Sequence, residues 1–402
     1  MELNTKIKTL AKTIFPKVLE IRRHIHQHPE LSFKEFETSK FIQQQLTEAG
    51  ISFTTGYVET GIVALIKGKN PDKKTILLRA DMDALPIEEK NNVDYKSENT
   101  GVMHACGHDV HSSIALGAAF ILNELKGEFE GTVKIMFQPG EEVLPGGASL
   151  MIQAGVLENP KVDKAIALHV FPGMETGKVG FKSGMYMAST DELYITVNGK
   201  GGHAAMPAEY INPLIIASEI LLEINKQYMQ PDALAGTTGE NIPTVIAFGK
   251  IEGKGATNVI PEKVELAGTF RTMDEKWRES VHLQLKKIVK TISEKYKVDS
   301  VLRIEKGYPF LVNDKDLTDA CFASAQNFLG KENVEELPLR MTAEDFAFIT
   351  QKVPSCFFRL GTANKEKGIT SGVHTSTFNI DESALETGVG LMTYLTIAEL
   401  KK

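Results

Sequence analysis

Between His104 and His111 the chain sets three imidazoles, a thiol and a carboxylate in eight residues, within the run MHACGHDVH that starts at Met103. Cys106 and His108 stand two apart on a Gly-containing turn, ahead of a helix expected over 109–126. Side chains so spaced can converge on one cation, and thiolate and imidazole are ligands that divalent transition metals accept. A lone Cys-x-His is also what a small buried thiol beside surface histidines looks like. Other groups must decide. Glu141 and Glu142 close an apolar strand pattern, Gly131 to Phe137, through the turn Gln138-Pro139-Gly140. Adjacent residues point in different directions, so one carboxylate can hold a metal while its neighbour holds an attacking water. His169 ends the apolar strand Lys164 to Leu168, and His374 follows a Gly-rich loop. Each group alone is ambiguous. Together Cys106, His108, one of Glu141 and Glu142, His169 and His374 exceed the four ligands of a closed structural zinc site. With the other carboxylate left over, the set suits a hydrolytic centre of two metal ions and a water.

These residues need elements to carry them. An amphipathic helix is expected over 5–28, with Pro16 as an irregularity and His24, His26 and His28 near its end. A histidine pair at i, i+4 more often serves packing than ligation. A second helix runs from Thr38 to Ala49 and stops at Gly50. Strand patterns follow at Gly61 to Lys67 and Thr75 to Arg79. The second is continuously apolar, as a buried central strand is, and leads into Ala80-Asp81-Met82-Asp83. The ends of such strands are where open α/β sheets place their chemistry. Asp81 is accordingly expected to orient a metal-binding histidine.

Further on, a helix is expected from Ala148 to Ala154. From about 187 the pattern changes, and Asp191 to Asn198 alternates apolar with polar residues, the sign of a sheet with one wet face. Helix 212–228, strands 243–251 and 263–270, helix 274–296 and strand 298–305 complete a βαββαβ order. Turn-rich connections stand at Thr237 to Asn241 and Gly253 to Ala256. Helix 316–329, the strand Ser355 to Arg359 and helix 381–398 return to the first pattern. The expected organisation is an α/β catalytic domain in two parts, 1–187 and 304–402, interrupted by a ferredoxin-like α+β domain over 188–303.

Composition agrees with a small-molecule enzyme. At 402 residues the chain is too long for one ordinary core. Its net charge of -7, without a basic stripe, argues against a nucleic-acid partner. No apolar run is long enough to span a bilayer and no signal peptide is evident, so no membrane partner is expected. Three cysteines without paired spacing suggest a reducing compartment, the cytoplasm by default.

Read as a whole, the chain resembles the M20 peptidase family in its amidohydrolase branch. The resemblance rests on segments in order along nearly the whole chain: RRHIHQHPEL from Arg22, RADMDALP from Arg79, MHACGHDVH from Met103, FQPGEE from Phe137, LHVFP from Leu168, GGHAAMP from Gly201, NVIP from Asn258 and EDF from Glu344. It implies a zinc-peptidase-like catalytic domain with an inserted lid through which subunits form a homodimer. It implies two divalent ions per subunit, zinc, manganese, cobalt or nickel, held by Cys106, His108, Glu142, His169 and His374. Glu141 matches the general base. His203 resembles the histidine that reaches the tetrahedral oxyanion across a dimer, with action in cis or in trans left open. Asn258 and Arg271 resemble lid residues that hold the substrate carboxylate. Ala208, Asn212 and Ser376 depart from the usual pattern, and none replaces a ligand.

The implied reaction is metal-dependent hydrolysis of the amide of an N-acyl amino acid such as an acetyl or benzoyl derivative. A metallo-exopeptidase acting on dipeptides or carboxy-terminal residues could use the same groups. A non-catalytic metal-binding or thiol-responsive protein is the third reading, and the surplus carboxylate Glu141 argues against it.

Overall fold

The computed structural model describes residues 2–228 and 242–402. The turn-rich connection expected at Thr237 to Asn241 lies outside them. The chain forms two compact units, one of residues 1–186, 312–338 and 345–402, the other of residues 187–311 and 339–344. The longer segment of the second unit runs from Met187 to Leu311. The strand Asp299–Lys306 stays paired to its last residue, Lys306 opposite Asp191.

The first unit is built on an eight-stranded sheet in the order Ser52–Gly56, Glu59–Lys67, Thr132–Gln138, Thr75–Asp81, Lys164–Glu175, Ser355–Ala363, Val179–Phe181, Val334–Glu336. Its centre is parallel. Thr75–Asp81 runs parallel to both Thr132–Gln138 and Lys164–Glu175, and Ser355–Ala363 runs parallel to Lys164–Glu175. Every residue of Thr75–Asp81, Thr132–Gln138 and Ser355–Ala363 is buried, which explains runs that are apolar rather than alternating. Asp81 pairs with Gln138, so these two strands end side by side. Their C-terminal ends deliver Asp81 and the Glu141 turn to one edge of the sheet.

Three helices pack on one another beside this sheet: Leu3–Gln27, His108–Glu124 and Ala384–Leu400. Leu3–Gln27 buries Ile7, Ala11, Val18, Ile21 and Ile25, a helical stripe, and Pro16 sits inside it without ending it. His108–Glu124 is buried without a break from His108 to Ala119, so that stretch turns no side to solvent. Gly117 lets its neighbours approach: a Cβ there would stand 2.6 Å from Val389 Cγ2 and 2.9 Å from Val18 Cγ2.

The second unit has a four-stranded antiparallel sheet in the order Thr244–Glu252, Lys263–Thr272, Asp191–Asn198, Asp299–Lys306. Helices Pro213–Tyr228 and Glu275–Tyr296 complete the βαββαβ order of a ferredoxin-like domain. Asp191, Leu193, Ile195 and Val197 are buried while the residues between them are not, as the alternation required. Among the described residues, no helix is long and apolar enough to cross a membrane.

Candidate metal centre

Cys106 lies at the middle of the cluster. Its Sγ is 3.4 Å from His169 Nε2 and 3.3 Å from His374 Nε2. Two triads share it: Cys106, His108 and His169 form one, and Cys106, Glu142 and His374 the other, with the ligand atoms of each within 4.8 Å of one another. His374 Nε2 is 3.2 Å from Glu142 Oε1. His108 Nε2 is 4.0 Å from a carboxylate oxygen of Glu141 and 4.0 Å from one of Glu142. All five expected ligands and Glu141 are thus brought together, from positions as far apart as 106 and 374.

Local backbone explains the convergence. The helix begins at His108, one residue earlier than its apolar run suggested, after Gly107 at φ 87°. A Cβ on Gly107 would stand 2.6 Å from Val170 Cγ2, so only glycine fits this left-handed turn. His374 also has a positive φ, 61°, uncommon for a residue with a side chain. Its N–H donates to the Ala105 carbonyl at 2.8 Å, which ties its loop to the cysteine turn. His169 does not end its strand, as expected, but sits inside Lys164–Glu175. Pro172-Gly173 reads as a stop, yet pairing with Ser355–Ala363 continues past it to Ala363 opposite Glu175, through a register shift.

The carboxylate against His108 Nδ1 is that of Asp83, the second aspartate of the turn. His108 Nδ1 is 3.0 Å from Asp83 Oδ1 and 2.9 Å from the Asp83 carbonyl. Asp83 Oδ2 accepts from the Glu142 backbone N–H at 3.0 Å and from Ser32 Oγ at 2.6 Å. Asp81 Oδ1 instead meets His111 Nδ1 at 2.6 Å, while its Oδ2 is 3.8 Å from His108 Nε2. His111 Nε2 accepts from Val170 N–H at 3.0 Å, so His111 braces the strand that carries His169. Arg79, wholly buried, donates to Asp81 at 2.5 Å, to Asp345 at 2.6 Å and to Gln138 at 2.8 Å. The Asp345 N–H reaches Glu141 Oε1 at 3.4 Å. The acid expected to act as base is therefore linked to the same buried scaffold.

The RRHIHQHPEL segment supports the site without entering it. Arg22 Nε donates to Asp109 Oδ2 at 2.9 Å, and His26 Nδ1 is 2.8 Å from the same oxygen. Glu30 accepts from Thr38 N–H at 2.8 Å and fixes the start of helix Phe36–Glu48. His24 stacks on Phe41 at 4.0 Å between ring centroids, a packing role. Burial pushes the Asp109 carboxyl up, but Arg22 and His26 outweigh it and hold the group well below the usual carboxylate range. Its contribution to stability is full above about pH 4 and is lost as pH falls toward the folded value. Asp109→Ala leaves Arg22 buried without its principal counter-charge. The expected cost is about 3–5 kcal/mol at neutral pH, measured by urea unfolding of the metal-free protein; a cost below about 1 kcal/mol would contradict this account.

The donor set fits a pair of divalent cations. Among the described residues His108 Nε2 is buried without a hydrogen-bond partner, a state that is costly unless another group satisfies it, and buried Glu142 Oε1 has the His374 ring nitrogen 3.2 Å away. Burial pushes the Cys106 thiol well up, and Glu142 adds to this against the pull of His108. Burial opposes charge on His108, yet Asp81 and Cys106 prevail and hold it well above the ordinary imidazole range. Burial and the neighbouring Arg359 drive His169 well down, leaving a neutral ring. Cation binding at thiolate and imidazole ligands is linked to proton release generally.

The other expected residues lie in the second unit. His203 is exposed on the short strand Gly202–His203, opposite Val259. Ala205 N–H donates to its Nδ1 at 3.1 Å, so a neutral ring carries its proton on Nε2, as a donor. Asn258 adjoins it, its carbonyl accepting from Ala204 N–H at 3.0 Å. Arg271, half-buried, stands on Lys263–Thr272 opposite Val245. The support given by Asp83, His111, Arg79 and Asp345 was not foreseen, although each lies in a segment singled out by its pattern.

Comparison with known proteins agrees with this geometry. Residues 77–398 match the model of peptidase family M20/M25/M40. The N-acyl-L-amino acid amidohydrolase of Geobacillus stearothermophilus is 38% identical over 311 residues, 77% of this chain and 81% of that protein. Thermostable carboxypeptidase 2 of Saccharolobus solfataricus is 37% identical, with 96% of each chain covered. Among solved structures, a dinuclear metal-binding M20 peptidase of Bacillus subtilis superposes with a TM-score of 0.81 at 30% identity, covering 97% of this chain and 99% of that one. With the family model matched over most of its length and relatives this similar across nearly all of it, the chain belongs to peptidase family M20/M25/M40.

Proposed function

We propose that this protein hydrolyses the amide bond of N-acyl amino acids with a pair of divalent cations. The observation that carries the reading is the thiol of Cys106 shared by two ligand triads beside a further carboxylate, Glu141. A closed binding site has no use for that extra acid. The amidohydrolase relative supports the substrate class, and the dinuclear peptidase supports the metal count. Cys106, His108 and His169 would hold one cation, and Cys106, Glu142 and His374 the other. Bound there, zinc, manganese, cobalt or nickel supplies Lewis acidity that makes water nucleophilic near neutral pH and polarises the scissile carbonyl. Glu141 takes the proton of the attacking water and returns it to the leaving amine. His203, with Nε2–H as donor, stabilises the oxyanion. Asn258 and Arg271 hold the substrate carboxylate, Arg271 as a planar fork that Lys would not match.

The inserted domain is the lid and the homodimer surface, and the enzyme works in the cytoplasm, where its free cysteines stay reduced. A hydrolysis screen across acetyl, benzoyl and long-chain acyl amino acids, with dipeptides alongside and each metal added back in turn, tests the reading. Turnover of acyl amino acids above dipeptides is expected. The reverse preference would establish the exopeptidase reading that the carboxypeptidase relative favours. Activity recovered on mixing His203→Ala with Glu141→Gln subunits would place His203 in trans; none in verified heterodimers would place it in cis.

A further inference from the structure

From 82 to 107 the chain forms no helix and only isolated bridges. Connections this long in a compact domain generally serve a function. Part of this one lies against the loop that carries His374. Lys90 N–H donates to the Ser376 carbonyl at 2.8 Å. Asn91 Nδ2 donates to the Phe378 carbonyl at 2.8 Å and to Glu89 Oε1 at 2.9 Å. The Tyr95 hydroxyl is 3.4 Å from Asn379 Oδ1. Glu89 is itself fixed, accepting from Ser97 N–H at 2.7 Å and lying 3.3 Å from His26 Nε2. We infer that residues 89–97 are a strap that holds the His374 loop in its metal-binding shape, with Asn91 as the positioning residue that acts through its two donor hydrogens. Its effect on metal rests on the dinuclear reading proposed above; its effect on the loop does not.

The loop needs such a hold. His374 is exposed and keeps a φ of 61°, which a residue with a Cβ adopts only against a steric cost. Gly372 stands in open space, so packing does not impose the shape there. Hydrogen bonds impose it instead, through His374 N–H to Ala105 on one side and the strap on the other. Asn91 is suited to this by its donors. Both its contacts are acceptors, and an amide NH2 offers two hydrogens. Asp has the same shape and offers none. Burial pushes the Glu89 carboxyl up, but His26 and the Ser97 N–H bring it below its ordinary value, so it is an anion at neutral pH. In Asn91→Asp one carboxylate then faces another, or the new side chain turns away, and Phe378 is released in either case. Asn91→Ala drops the same bonds without adding charge. If Asn91 only filled space, Asp would be the milder change. As a donor, it makes Asp the more damaging one.

The test has two readouts on wild type, Asn91→Ala and Asn91→Asp. The first is hydrogen exchange of the His374 amide in metal-free protein. It is expected to quicken about 10-fold in Asn91→Ala and further in Asn91→Asp. The second is zinc binding by calorimetry. Wild type is expected to hold two ions. One of them should weaken about 10-fold in Asn91→Ala and about 100-fold in Asn91→Asp, the range of an outer hydrogen-bond partner. The other should keep its affinity, because the strap does not touch Cys106, His108 or His169. Wild-type exchange and affinity in Asn91→Asp, or equal weakening of both ions, would overturn the proposal and leave the dinuclear reading standing. Fewer than two ions in wild type would overturn that reading, and amide exchange at His374 would still decide the strap. Should the variants not fold, exchange in wild type decides. Zinc is expected to slow the Lys90 amide together with that of His374, and protection of His374 alone would overturn the strap.

Discussion

Glu141→Gln is expected to lower kcat by about 10³-fold or more while zinc content and substrate KM stay near wild type. The substitution keeps the shape of the side chain and its contact with the Asp345 N–H, 3.4 Å away in the native protein. It removes the ability to carry a proton. General acid–base work of this kind contributes roughly 10²–10⁴-fold, and Glu141 serves twice, once for water and once for the amine. Because the side chain belongs to neither cysteine-sharing triad, the loss belongs to the chemical step. It should therefore appear equally in kcat and kcat/KM. Single-turnover assays with metal analysis on the same sample check this. A variant within tenfold of wild type would remove Glu141 from proton transfer, and loss of zinc would make it a ligand instead.

Cys106→Ala is expected to strip both cations rather than one, because the sulfur belongs to both triads. The fall in affinity should exceed the roughly 10–100-fold cost of losing an outer hydrogen-bond partner, and activity should become undetectable. His374→Ala is the comparison, since it touches one triad alone and should spare one ion. Cys106→Asp should recover part of the binding, because a carboxylate can give one oxygen to each cation where alanine gives none. Zinc titration monitored by calorimetry distinguishes these cases. Retention of either ion at wild-type affinity in Cys106→Ala would show that the thiol does not bridge.

Much of this was legible in the chain itself, for identifiable reasons. The buried strands are apolar runs, and a run such as Thr75 to Leu78 reads the same with or without coordinates. The candidate ligands stood out because Cys, His and paired Glu recur in the turns and apolar runs of one α/β pattern. Short strands were not. Val179–Phe181 and Val334–Glu336 have three residues each, too few for a period, and exist because a neighbouring strand pairs with them. The roles of Asp81 and Asp83 could not be separated either. Both are turn-type aspartates two residues apart. What tells them apart is that the strand ends at Asp81, so Asp83 falls in the turn under His108 and Glu142. The Lys164–Glu175 strand outran its expected end because pairing with a central neighbour overrode the local signal of Pro172.

The order in which the metal-binding groups occur along the chain constrains how the enzyme is made. A polypeptide emerging from the ribosome presents the Cys106 sulfur long before His374 has been polymerised. Until that final loop docks against Ala105, the nascent thiol has an incomplete set of companions. Maturation must therefore wait for the completed polypeptide, and in that interval Cys106 is open to oxidants that the finished core excludes.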